Sequence, residues 1–184
     1  MRVITGSARG RKLKTLEGLD VRPTSDKVKE GLFSAIQFAV EGRRVLDLFA
    51  GSGQLGIEAL SRGARSAVFV DRSPKAIAVV KENIKACDME SVSTVTQAES
   101  LSYLKTCYES FDLAFVDPPY AIENLDEILN ETADHMAVGG TICAESARER
   151  QLPESLGSSV KFERFREYNY GKTKITLYRR AQVQ

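Results

Sequence analysis

Residues 45–56, VLDLFAGSGQLG, constrain what this chain can fold into more than any other stretch. The apolar run Val45 to Phe49, with a single acid inside it, predicts a buried strand, and Gly51, Gly53 and Gly56 release the chain into a helix. Glycine permits a tight turn, lets backbone N–H groups approach a ligand, and allows the new helix to pack closely on its strand. The spacing is G-x-G-x-x-G, and Asp71 follows twenty positions after Gly51, at the end of the apolar run Ala67 to Val70. That pattern is a nucleotide-cofactor fingerprint, with a ligand-free glycine turn as the bland alternative.

From Arg44 onward strands and helices alternate. Strands are expected at Val45–Phe49, Ala67–Val70, Val92–Thr96, Leu113–Val116 and Gly140–Ala144, and helices at Gln54–Arg62, Pro74–Ala86, Ser100–Tyr108 and Ile122–Met136. Repeated β-α units imply a parallel sheet with helices on both faces. Lys161–Tyr168 and Thr173–Tyr178, joined around Gly171, predict an antiparallel hairpin at the sheet edge. Upstream, Arg2–Thr5 and Lys12–Thr15 flank residues 6–10 and read as a small hairpin with a flexible tip. A helix capped by Thr24 or Ser25 then runs to about Val40. The expectation is a Rossmann-like α/β fold: one domain over residues 1–184, with a mostly parallel seven-stranded sheet. Residues 1–20 form a hairpin extension and 21–184 the core.

Charge narrows the ligand. If strands end near Asp47, Asp71, Glu99 and Asp117, four carboxylates line the carboxyl edge of the sheet, where open α/β folds bind ligands. A pyrophosphate is repelled there. S-adenosylmethionine carries a sulfonium and an ammonium against one carboxylate, so its positive charge suits this rim, while Asp71 can still accept ribose hydroxyls.

The strand Phe111–Val116 runs directly into Asp117-Pro118-Pro119-Tyr120. Two prolines fix where the Asp117 carboxylate and the neighbouring carbonyls point, and Tyr120 supplies an aromatic face. A planar base lying on Tyr120 can present an exocyclic amine to Asp117 and the Pro118 carbonyl, which stabilises charge developing as nitrogen attacks a methyl group. The alternative is a stiffened strand exit with a packed tyrosine.

Across the 184 residues the net charge is only +1, but it is unevenly spread. Residues 1–14 hold five basic side chains and no acid, residues 161–180 seven basic against two acidic, and residues 99–154 three basic against twelve acidic. Such polarity fits a phosphate backbone, or simply a solvated surface. Cys87, Cys107 and Cys143 form no C-x-x-C pair, and His135 is the only histidine, so metal and Ser-His-Asp chemistry are disfavoured. No signal peptide or membrane-length apolar run is present, and a cytoplasmic monomer with no membrane partner is expected.

The motifs RVITGSARGRKL, RPTSDKVKEGLF, LDLFAGSGQLGIEALSRGA, FVDRS, DLAFVDPPY and YNYGKTKITLY, in this order, resemble the RsmD-type methyltransferases of the class I S-adenosylmethionine-dependent superfamily. The resemblance implies methylation of a guanine N2 in small-subunit (16S) ribosomal RNA, naked or in an assembling particle. It implies that Asp47, Ala50, Gly51, Ser52 and Gly53 line the methionine end of the cofactor, Asp71 and Arg72 its ribose, and Ala98 and Glu99 its adenine. Arg22 and Thr24 would fold over the cofactor, or serve as a turn and a helix cap. Asp117, Pro118, Pro119 and Tyr120 would position the base, with Asp117 also at the cofactor. Arg9, Arg11, Lys12 and Lys14 would meet RNA phosphates. Members usually carry aspartate where this chain has Glu99; a helix-start acid is the alternative there, with Ala98 backbone groups serving instead. A DNA adenine amino-methyltransferase and a non-catalytic RNA chaperone are the competing functions.

Overall fold

The computed structural model describes residues 1–16 and 24–180. Its chain order is α1 (Asp26–Ala35), β1 (Arg44–Asp47), α2 (Gln54–Ser61), β2 (Ser66–Asp71), α3 (Pro74–Ala86), β3 (Ser93–Gln97), α4 (Ser100–Thr106), β4 (Phe111–Val116), α5 (Leu125–Asp134), β5 (Met136–Ala147), β6 (Ser155–Leu156), β7 (Phe162–Tyr170) and β8 (Thr173–Arg180). These strands form one eight-stranded sheet of order β3-β2-β1-β4-β5-β8-β7-β6. Strands β1 to β5 pair in parallel, whereas β8, β7 and β6 are antiparallel to their neighbours. The expected parallel sheet and terminal hairpin are thus present. An eighth strand, the two-residue β6, was missed because so short an edge leaves no periodic signal.

Alternation of side chains divides each strand between two cores. Val45, Phe69, Leu113, Phe115 and Leu177 face one side with Phe33, Ile57 and Val80 of the first three helices; Leu46, Val70, Ala114, Ile142 and Tyr178 face the other with Leu104, Ile128 and Leu129. Phe33, Phe69 and Phe115 are fully buried, and each such side chain contributes about 1.5–3 kcal/mol. Phe33 and Phe115 lie 5.6 Å apart, tying α1 to the centre of the sheet.

Local capping chemistry starts α3, where the Ser73 hydroxyl accepts the Ala76 N–H and Pro74 occupies the first turn. The expected helix to about Val40 is shorter than read. Ser25 caps it, but the helix stops at Ala35 and a 3-10 turn at Gln37–Ala39 follows.

The N-terminal arm contains one antiparallel bridge, Arg2 to Lys12. Its tip is docked rather than flexible. The N–H groups of Ile4 and Thr5 donate to the Glu58 carboxylate, those of Ser7 and Ala8 to Ser61, and Val3, Ala8 and Leu13 enter the core. Glu58 is itself buried beside Lys29, 3.6 Å away, and Arg62, 2.9 Å away. Burial pushes the Lys29 amine below its ordinary range, against the pull of Glu58. Among the described residues, no helix is long and apolar enough to cross a membrane.

Candidate active site

Strand order reverses at β1, whose neighbours are β2 and β4, and a crevice opens outside the carboxyl ends there. It is a cavity of about 1240 Å³.

Strand β1 delivers Asp47, only 2% exposed. Its Oδ2 accepts the Gly56 N–H at 3.0 Å, fastening the first turn of α2 to the preceding strand. Burial pushes the Asp47 carboxyl up to about 7; the Gly56 bond opposes this, and the nearby Asp117 and Asp71 add to it. Strand β2 delivers Asp71, whose two oxygens accept the N–H groups of Gly51 at 2.9 Å and Ser73 at 2.8 Å. One carboxylate therefore shapes both the glycine turn and the entry to α3, and each oxygen keeps a lone pair for a further donor.

Ala50, Gly51 and Ser52 line the cavity, as do Arg72, Ala98 and Glu99. Gly53 does not. It adopts φ 80° at the N-cap of α2, where a Cβ would face Ile57 and Val80, so it forms the turn without touching the wall. Glu99 lies beyond β3 and caps α4, accepting the Ser102 N–H at 2.9 Å and the Ser100 hydroxyl at 3.0 Å. Burial pushes its carboxyl up, but the bonds from Ser102, Leu101 and Ser100 together hold it below the ordinary range. The Ala98 N–H is engaged too, donating to the Asp71 carbonyl at 3.1 Å.

Strand β4 delivers Asp117, half-buried, whose carboxyl is pushed up to about 6 by burial while a bond from Thr24 opposes the shift. Pro118 is buried, and the Pro119 carbonyl accepts the Ile122 N–H at 3.0 Å. Tyr120 is 39% exposed at the cavity, with its hydroxyl bonded to that of Thr173 at the start of β8. Arg150 clamps the segment beyond, donating to the carbonyls of Ile122 and Glu123, and Lys174 Nζ in turn donates to the Arg150 carbonyl at 2.6 Å.

Sequence reasoning missed Glu145. Strand β5 was expected to stop at Ala144 but continues to Ala147, and pairing of Val116 with Ala144 brings Glu145 beside Asp117. The buried Thr24 hydroxyl lies 3.1 Å from Asp117 Oδ2 and 3.3 Å from Glu145 Oε2. The available signal was an acid following an apolar run at the same sheet edge as the others. Gln54 was missed as well; it lines the cavity, and its Oε1 is buried with no hydrogen-bond partner among the described residues.

Arg9, Arg11, Lys12 and Lys14 are all exposed, and none lines the cavity. Arg11 donates to the Ala86 carbonyl and to Asp88 at the end of α3, and Lys14 pairs with Glu82. Nearer the cavity mouth stand Lys27, Arg72, Lys75 and Lys172, exposed cations around an acidic floor. Arg22 lies outside the described residues.

An open, mostly parallel sheet with an antiparallel final hairpin, and a crevice built from a glycine turn and three strand-end acids, is the architecture of the class I S-adenosylmethionine-dependent methyltransferases. The family model described as "Conserved hypothetical protein 95" matches residues 1–179, and the chain belongs to this family, that of the RsmD-type methyltransferases. YlbH of Bacillus subtilis, provisionally named an rRNA methyltransferase, is 42% identical over 185 residues, covering 98% of this chain and 99% of that one. Ribosomal RNA small subunit methyltransferase D of Escherichia coli K12 is 32% identical over 182 residues, covering 98% and 90%. The solved structure of E. coli yhhF, provisionally titled a methyltransferase, superposes with a TM-score of 0.85 at 33% identity, covering 98% and 97%.

Proposed function

We propose that this chain transfers a methyl group from S-adenosylmethionine to the exocyclic N2 amine of a guanine in small-subunit (16S) ribosomal RNA. The observation that carries the reading is the sharing of one cavity by the proline-fixed Asp117 and the strand-end acids Asp47 and Asp71. Ionising Asp47 in this setting is costly until a positive group enters, so the floor favours a cationic ligand. When bound, S-adenosylmethionine supplies an electrophilic methyl group on a sulfonium.

Asp47, Ala50, Gly51 and Ser52 hold the methionine end in this reading, with Gly53 shaping the turn behind them. Asp71 and Arg72 flank the ribose, and Ala98 and Glu99 the adenine. Thr24 acts through Asp117, the residue to which it donates. Asp117 accepts one N–H of the guanine amine, which favours a pyramidal nitrogen and stabilises the positive charge that forms on it. Tyr120 and the two prolines would orient the base toward the methyl donor, so that positioning would supply much of the rate. The proton that the methylated amine would release would pass to Asp117 or to water.

Arg9, Arg11, Lys12 and Lys14 present the arm to RNA phosphates, with Arg9 and Lys12 the two not held by α3. The reading takes the protein as a cytoplasmic monomer acting on ribosomal RNA or an assembling small subunit. The test is incubation with labelled cofactor and, separately, naked small-subunit rRNA, an assembling particle, duplex DNA and free guanosine, followed by mass spectrometry of the digested nucleosides. N2-methylguanosine from an RNA substrate, with little from free guanosine, is the expected outcome. Label in DNA adenine, or in none of the four, overturns the reading.

A further inference from the structure

We propose that Glu145 reads the N1–H of the target guanine, so that Asp117 and Glu145 together select guanine over the other amino bases. The inference rests on the methyl-transfer reading above and adds to it the source of base specificity.

Asp117 by itself does not discriminate among bases. Guanine, adenine and cytosine all carry an exocyclic amine, and any of them can offer an N–H to one carboxylate. They differ at the neighbouring ring nitrogen. Guanine N1 bears a proton beside its amine, whereas adenine N1 and cytosine N3 bear lone pairs. A second carboxylate next to the first therefore accepts from guanine and repels the other two.

The chain builds such a pair. Val116 and Ala144 are partners in the parallel ladder, so the residues after them lie side by side: Asp117 just beyond the end of β4 and Glu145 still within β5. Both line the cavity that holds Tyr120, and Glu145 is only 9% exposed. One Thr24 hydroxyl holds an oxygen of each, so those two oxygens lie no farther apart than its two bond lengths together allow. In this low-dielectric setting a mismatched lone pair against Glu145 is strongly disfavoured. Sites built to bond a substrate N–H reject analogues that lack it far more strongly than apolar pockets reject a missing methylene.

The experiment uses small-subunit rRNA carrying either guanine or 2-aminopurine at the mapped methylation position. 2-Aminopurine keeps the amine but has no N1 proton. Wild-type protein is expected to methylate the guanine RNA with kcat/KM roughly 10²-fold higher or more. In Glu145→Gln the amide can donate to the bare N1, so the preference for guanine is expected to fall by about tenfold or to reverse. 2-Aminopurine fluorescence, titrated with S-adenosylhomocysteine present, should show the same loss of preference in binding, while calorimetry should show cofactor affinity unchanged within about twofold.

An unchanged guanine preference in a Glu145→Gln protein that binds cofactor overturns the inference. Should that variant not fold, the wild-type comparison decides alone, since equal kcat/KM for the two RNAs is equally fatal. These results differ from failure of the underlying reading, in which the unmodified guanine RNA itself accepts no methyl group.

Discussion

Asp47 and Asp117 owe their behaviour to burial, and the sign of that effect is testable. Both carboxyls titrate above the ordinary value of 3.8, at about 7 and about 6, so the folded chain prefers their protonated forms. Their contribution to the stability of the ligand-free protein is fully present below the ordinary carboxylate range and is lost as pH rises through 6 and then 7. A cationic cofactor reverses this preference, because it favours the ionised floor. Calorimetric titration should show S-adenosylmethionine binding tightening by roughly tenfold between about pH 5.5 and 8, with proton release near neutrality. A flat profile would contradict a cation seated beside Asp47. Asp117→Asn should lower kcat by roughly 10²–10³-fold with little change in cofactor affinity, measured by single-turnover methylation beside calorimetry. At this scale the strand-end acids Asp47, Asp71 and Asp117 were legible, because Asp47 is the single acid inside an apolar run and the other two follow such runs directly. Thr24 and Glu145 were harder to find, since their roles depend on a strand register that brings distant segments together.

The glycine turn and the arm show where local signals sufficed and where packing decided. Gly56 was readable as a close-approach residue, and the structure gives the reason: a Cβ there would collide with the ring of Phe69 on β2. Gly56→Ala should therefore cost about 1–3 kcal/mol in denaturant unfolding, although alanine is the better helix former. The arm was legible only as a hairpin with basic side chains. Its docking depends on Glu58, an acid in the middle of α2 that is fully buried. Glu58→Gln leaves Lys29 without its carboxylate partner and turns an amide against the arm's N–H groups. A loss of about 3–5 kcal/mol is expected, with hydrogen exchange at Ile4 and Thr5 accelerating before that of β1. Boundaries failed for similar reasons. Strand β5 extends past its apolar segment because β8 pairs with Glu145, Ser146 and Ala147, a contact no window of sequence contains.

Across the molecule, the arm and the crevice meet at Asn83 on α3. Its side-chain amide donates to the carbonyls of Lys14, at 3.0 Å, and Ser52, at 2.8 Å, and its oxygen accepts the Lys14 N–H at 2.7 Å. Asn83 is 1% exposed, and alanine there would strand the arm's backbone groups and the glycine turn at once. Asn83→Ala should weaken cofactor binding. It should also abolish any difference between cofactor affinities measured with and without RNA, a difference worth about 1–3 kcal/mol where two sites are coupled. On the proposed reading, a single carboxamide would then work as a clutch between the segment offered to a large polyanion and the loop offered to a small cation. Linkage makes the traffic two-way: whatever tightens the grip at one end must, by the same factor, tighten it at the other.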